Sequence, residues 1–220
     1  MDSTLIQGEV IDELAKLAGV EDQVKTITAA AMRGEIDFSQ SLRQRCALLK
    51  GQNAAELFDH VKKGLQFTPG AEVLTRTLKQ LGFKMAVISG GFVELARHVR
   101  AELDLDYSFA NQLSIDEDGK FTGQTTGPLV TPERKRTLLS MIAEVEGCDV
   151  DQVVAVGDGA NDIPMLMAAG LGVAFCAKPK VRERVRDFQI NHHDLSMVLY
   201  LLGLTDTAAA QVRGELLARL

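Results

Sequence analysis

Through the first third of the chain, apolar residues recur at helical spacing. Val10, Ile11, Leu14, Leu17 and Ala18 share one face and Gly19 supplies a stop, which predicts a helix over 9–18. Segments 20–34, 39–50 and 53–64 behave alike with no convincing β run between them, so residues 9–65 read as a small all-helical unit. Past Thr68-Pro69-Gly70 the pattern changes. A helix over 71–81 leads to an apolar run at Lys84–Ile88, then a helix over 92–103. Further apolar runs follow at Val153–Val156 and Leu171–Phe175. Short β-rich runs separated by helices are the pattern of parallel strands covered on both faces, so the expected fold class is α/β with an open parallel sheet. Residues 107–130 carry Gly119, Gly123 and Gly127 among alternating Thr and apolar residues and predict a hairpin hanging off that sheet. The segment 205–220 reads as one more amphipathic helix, a C-terminal tail.

Composition narrows the partners. The chain has 220 residues, 46% hydrophobic and 25% charged, as globular domains do, and suits one core with a modest insertion. A net charge of -6 argues against a nucleic-acid footprint, which needs clustered excess Lys and Arg. No apolar stretch approaches the roughly 20 residues of a membrane span, and no secretory leader pattern opens the chain. Small molecules are the expected partners, with no nucleic acid and no membrane; the oligomeric state stays open, a homodimer included. Cys46, Cys148 and Cys176 form no CxxC pair and sit in apolar runs, so they read as buried thiols of a reducing, cytoplasmic compartment. His60, His98, His192 and His193 show neither metal spacing nor a nucleophile partner.

In an open α/β sheet, ligands sit beyond the carboxyl ends of the strands. After Ile88 come Ser89-Gly90-Gly91, a hydroxyl followed by glycines whose N–H groups can approach an anion closely, or simply a tight strand-to-helix turn. After Val156 come Gly157-Asp158-Gly159-Ala160-Asn161-Asp162. Carboxylates crowded there repel unless a cation holds them, which suggests Mg²⁺; the alternative is a turn and a helix cap, a role that suits Asp162 ahead of Ile163-Pro164 better than it suits Asp158. Thr131-Pro132 reads as an N-cap with Pro at the first helical position. Lys135 then falls against the helix dipole and on the same face as Leu138, Leu139 and Ile142, so it either serves a ligand or snorkels past the core. Arg45 shares a stripe with Leu42, Cys46 and Leu49, whereas Arg43 falls off it. An inward Arg needs an anionic partner, either a carboxylate of the protein or a charge on a ligand. Glu9, in a first helical turn, is explained by the dipole alone. A metal carboxylate, a hydroxyl with backbone amides and a lysine together describe a phosphate site with Mg²⁺.

In this order the segments resemble the haloacid dehalogenase superfamily of phosphatases and, within it, the phosphoserine phosphatases. The resemblance runs from Asp2 to about Leu202. Asp2-Ser3-Thr4-Leu5 matches the tail of the first motif, Ser89-Gly90-Gly91 the second, Lys135 the third, and Gly157-Asp158-Gly159-Ala160-Asn161-Asp162 the fourth. The phosphoserine-specific features are Glu9, Arg45 and Phe175-Cys176-Ala177-Lys178-Pro179. The resemblance implies a Rossmann-type three-layer core (1–8 and 66–204) with a small helical cap domain (9–65). It implies O-phosphoserine hydrolysis as the last step of serine biosynthesis. Asp2 would be the general acid and base with its backbone carbonyl on Mg²⁺, Asp158 a metal ligand and Asp162 a support of that shell. Ser89, Gly90, Lys135 and Asn161 would hold the phosphoryl group, Glu9 the substrate ammonium and Arg45 its carboxylate.

One departure carries weight. The family's first motif is Asp-x-Asp-x-Thr, its first Asp is the nucleophile, and here Met1 occupies the x position. The nucleophile provides an aspartyl-phosphate that divides one slow hydrolysis into two steps. The sequence therefore predicts a longer natural chain in which an apolar strand ending in Asp precedes Met1. The alternatives are a phosphatase for another small amine phosphate such as phosphohomoserine, and a catalytically dead, ligand-binding relative.

Overall fold

The computed structural model describes residues 1–185 and 188–204. The predicted helix over 205–220 lies outside them. Four helices come first: α1 (Val10–Leu17), α2 (Glu21–Met32), α3 (Phe38–Leu48) and α4 (Ala54–Gly64). Asp37 and Asn53 cap α3 and α4 by accepting the N–H of Gln40 and Glu56. Val10, Ile11, Leu14, Val24, Leu42, Cys46, Leu49, Phe58 and Val61 are buried and share one apolar cluster with Val87, Phe92, Val99 and Phe175 of the sheet region.

Then follow α5 (Ala71–Gln80), β1 (Ala86–Phe92), α6 (Val93–Glu102), β2 (Tyr107–Ile115), β3 (Phe121–Thr126) and α7 (Pro132–Val145). The remainder is β4 (Val154–Gly157), α8 (Ile163–Leu166), β5 (Leu171–Phe175), α9 (Pro179–Arg184), β6 (Gln189–Ile190) and α10 (Val198–Leu201). The strands form two sheets, ordered β1-β2-β3 and β4-β5-β6. Parallel pairing joins β1 to β2 and β4 to β5 to β6, in line with the expected open parallel sheet. Val87, Ala155, Val173 and Ala174 are buried, as strands covered on both faces require.

Four expectations need correction. The strand at 84–88 runs instead from Ala86 to Phe92, carrying the Ser89-Gly90-Gly91 turn as its irregular end, and the register shifts between Ile88 and Phe92. The hairpin does not hang free. The first half of β2 pairs in parallel with β1 and only its second half pairs antiparallel with β3. The tip of the hairpin is tied to the α3–α4 connection, because Gly51 N–H donates to Phe121 O (2.8 Å), Phe121 N–H to Gln52 O (2.9 Å) and Ala54 N–H to Gly119 O (3.0 Å). Phe58 packs edge-on against Phe121 with ring centroids 5.3 Å apart. Glu9 is the extended N-cap of α1 and lies outside its first turn. Of the three free cysteines, Cys46 alone is fully buried; Cys148 and Cys176 are half-buried, since each sits in a loop after an element.

Candidate active site

The residues singled out in the sequence converge where β1 and β4 end. Asp2 is positioned from two elements: Val10 N–H, at the start of α1, donates to its Oδ1 (3.0 Å), and Ser89 O–H donates to its Oδ2 (3.0 Å). The carboxylate therefore sits on a helix N-terminus, where the dipole favours negative charge. Its backbone carbonyl accepts no hydrogen bond among the described residues. Ser89 is 1% exposed, and its oxygen accepts Gly91 N–H at 2.9 Å. Close packing explains the two glycines. A Cβ at Gly90 would stand 2.9 Å from Phe38 Cζ, and one at Gly91 would stand 3.0 Å from Asp2 Oδ2.

Lys135 is 3% exposed, which excludes snorkelling, and its Nζ lies 2.7 Å from Asp162 Oδ1. Thr131 caps its helix as expected, accepting Arg134 N–H. Asp162 does not cap α8 with its side chain. Its carboxylate turns inward, taking Lys135 on one oxygen and Gly159 N–H on the other (3.0 Å). Burial pushes the Asp162 carboxyl up, but the charge and hydrogen bond of Lys135, helped by Gly159 N–H, outweigh it and hold the group below its usual range.

Asp158 is 8% exposed and has no ion-pair partner within 4.0 Å among the described residues. Thr4 O–H donates to its Oδ1 at 3.0 Å. Burial, and then the neighbouring charge of Asp162, push the Asp158 carboxyl up. A buried, unpaired carboxylate beside a second one is the donor chemistry that a hard divalent cation satisfies. Of Asp2, Asp158 and Asp162, the last two are neighbours, yet among the described residues no three His, Cys, Asp or Glu close on one point as a ready-made metal cage. Two of the three spend their carboxylate oxygens on Val10, Ser89, Lys135 and Gly159.

Asn161 reaches between the two strand ends: its Oδ1 lies 2.3 Å from where a Gly159 Cβ would be, and its Nδ2 3.6 Å from where a Gly90 Cβ would be. From the helical segment, Glu9 and Arg45 face the same region. Glu9 accepts Ser3 O–H at 3.1 Å. Burial, then the charge of Asp2, raise its carboxyl to about 7 against the pull of Lys178. Arg45 is half-buried and Arg43 exposed, as the stripe predicted. The Arg45 guanidinium donates to Ser41 O (3.3 Å) and meets no carboxylate within 4.0 Å among the described residues. Of the two partners open to it, a protein carboxylate is thereby absent at contact distance.

Sequence reasoning missed four residues here. Thr4 and Ser3 orient Asp158 and Glu9, and the backbone of Ser3 is left-handed (φ 52°). Phe38 covers Gly90. Asn111, 1% exposed in the middle of β2, donates to Gly90 O and accepts Val130 N–H. Two of them carried a signal: Thr4 is the Thr of the first motif, and Asn111 is a polar residue of low strand propensity in a predicted hairpin. Two surface depressions, of about 360 Å³ beside Lys16 and Asp22 and about 290 Å³ beside Phe109 and Arg134, are lined by none of these residues.

Comparison with known proteins gives this constellation a family. The haloacid dehalogenase-like hydrolase family matches residues 1–170. The chain is 51% identical over 205 residues to a phosphoserine phosphatase of Streptomyces coelicolor, covering 93% of the chain but 49% of that protein, so it spans about half of that relative's length. It is 48% identical to the phosphoserine phosphatase of Lactococcus lactis, covering 90% of the chain and 91% of that protein. A substrate-bound phosphoserine phosphatase complex superposes with a TM-score of 0.85 at 44% identity, covering 91% of the chain and 94% of the other. With a family match over most of its length and relatives this similar at nearly equal length, the chain belongs to the haloacid dehalogenase-like hydrolases, in their phosphoserine phosphatase branch.

Proposed function

We propose that the chain is a Mg²⁺-dependent phosphomonoester hydrolase that converts O-phosphoserine to serine and phosphate in the last step of serine biosynthesis. The observation that carries this reading is the Arg45 guanidinium, which meets no carboxylate within 4.0 Å among the described residues and shares the neighbourhood of Asp2 with Glu9. A phosphate alone needs neither group; an amino acid phosphate has a carboxylate for the first and an ammonium for the second.

In this reading the phosphoryl oxygens lie between Ser89, the Gly90 amide, Asn161 and Lys135. Lys135 has three N–H donors and spends one on Asp162, leaving others for the ligand. Asp158, backed by Asp162, and the backbone carbonyl of Asp2 would hold Mg²⁺. When bound, the ion offsets the negative charge of the phosphoryl group and of the carboxylate that attacks it. That carboxylate is the aspartate the resemblance places one position ahead of Met1. As the bond from its oxygen to phosphorus forms, the phosphorus–serine oxygen bond breaks, and Asp2, acting as an acid, donates its proton to the departing serine oxygen. Asp2, now a carboxylate, takes a proton from the water that opens the aspartyl-phosphate, which frees the attacking carboxylate and returns Asp2 to its acid form. Helices α1–α4 act as the cap, with Phe38 closing over Gly90. Free thiols at Cys46, Cys148 and Cys176 support a cytoplasmic setting, and among the described residues no helix is long and apolar enough to cross a membrane.

The test is Arg45→Ala in a chain carrying the preceding strand and aspartate. A KM for phosphoserine raised about tenfold or more, as expected for losing a charged hydrogen bond, supports amino acid recognition; an unchanged KM contradicts it.

A further inference from the structure

Asn111 stands outside every motif of the sequence. It sits in the middle of β2, 1% exposed, and uses both ends of its amide. Its Nδ2 donates to Gly90 O at 2.8 Å, and its Oδ1 accepts Val130 N–H at 2.8 Å. One partner only accepts and the other only donates, so the amide has a single orientation that satisfies both.

The two partners belong to different parts of the site. Gly90 O is one end of the Gly90–Gly91 peptide. The other end, Gly91 N–H, donates to Ser89 Oγ (2.9 Å), and Ser89 O–H donates to Asp2 Oδ2 (3.0 Å). Val130 immediately precedes Thr131, the N-cap of the helix that carries Lys135. A continuous relay therefore runs from the base of the Lys135 helix through Asn111 and the Gly90–Gly91 peptide to the hydroxyl of Ser89. A peptide plane held at both ends has little freedom to rotate, and its neighbour Gly90 has no side chain to restrain it.

We infer that Asn111 is a positioning residue for phosphoryl binding: it fixes the Ser89-Gly90-Gly91 turn against the helix start bearing Lys135, and so sets the spacing of the two sides of the anion site. This rests on the phosphate reading above. Asn111 need touch no ligand itself.

The test titrates inorganic phosphate and, separately, L-serine into the 220-residue chain with Mg²⁺, by calorimetry, for the parent, Asn111→Ala and Asn111→Asp. The aspartate keeps the acceptor for Val130 and sets a carboxylate oxygen against Gly90 O. Phosphate affinity should fall about tenfold or more in both variants, the loss expected for one hydrogen bond, while serine affinity stays within about twofold. Phosphate affinity equal to the parent's would overturn the inference, as would phosphate and serine falling together, which is the mark of a merely structural residue. A parent that binds no phosphate would instead defeat the phosphate reading. Should the variants not fold, the parent answers: on phosphate addition, the amide resonances of Gly91 and Val130 and the side-chain amide of Asn111 should shift together, and a shift at Gly91 alone contradicts the relay.

Discussion

Lys135 and Asp162 form an ion pair of 2.7 Å with side chains only 4% and 8% exposed, and they join the third and fourth motifs inside the protein. Removing one partner of such a pair leaves an uncompensated buried charge, at a cost of about 3–5 kcal/mol. Lys135→Met should lower the unfolding free energy by about that much in urea melts, and adding Asp162→Leu should recover part of it. Equal, additive losses would contradict the coupling.

The same pair gives acid sensitivity. The folded Asp162 carboxyl is held below its unfolded value, so its stabilisation is present above the ordinary carboxylate range, near pH 3.9, and is lost as pH falls through its folded pKa. Asp162→Asn should flatten the acid limb of a stability-versus-pH curve.

Glu9 runs the other way. Its folded pKa of about 7 exceeds the ordinary 4.5, so its protonated form favours folding, and its share of stability falls as pH rises from about 4.5 through 7. A carboxyl carbon titration by NMR on the metal-free chain should find the Glu9 midpoint near 7, and Glu9→Gln should remove that slope from thermal melts.

A Cβ at Gly90 would stand 2.9 Å from Phe38 Cζ, so the Phe38 ring must shift to admit one. Gly90→Ala should weaken phosphoserine binding about tenfold or more, given an overpacking cost of about 1–3 kcal/mol. Phe38→Leu in the same chain should restore part of it. Calorimetry on the single and double variants decides.

Thr4 supplies the hydroxyl that steadies Asp158. Thr4→Val keeps the shape and removes the donor, so Mg²⁺ affinity should drop by about five- to tenfold, the worth of about 1 kcal/mol or slightly more. A magnesium titration of both chains measures it.

The sequence made the elements and the charged residues of the site legible because each broke a local rule. Lys135 lies on an apolar face, Arg45 on an inward stripe, and Asp158 has no helix to cap. What stayed hidden depends on pairings between distant positions. Asn111 meets Gly90 and Val130 only through β2 register, Phe38 meets Gly90 only when α3 folds over the sheet, and Thr4 meets Asp158 across 154 positions. The hairpin was misplaced for a related reason. Alternation of side chains reports that a segment is a strand but not which neighbour each half takes, and β2 takes β1 with one half and β3 with the other.

In the proposed reading, Arg45 and Glu9 recognise an amino acid attached to the phosphate. The deciding comparison is of kcat/KM for O-phosphoserine and phosphoethanolamine, which lacks the carboxylate, in a chain extended ahead of Met1 by an apolar strand ending in Asp. A preference of about 10- to 150-fold for phosphoserine is expected, the worth of one hydrogen-bonded charge at about 1.5–3 kcal/mol, and it should collapse in Arg45→Ala. Equal rates on the two phosphates in the parent would contradict it.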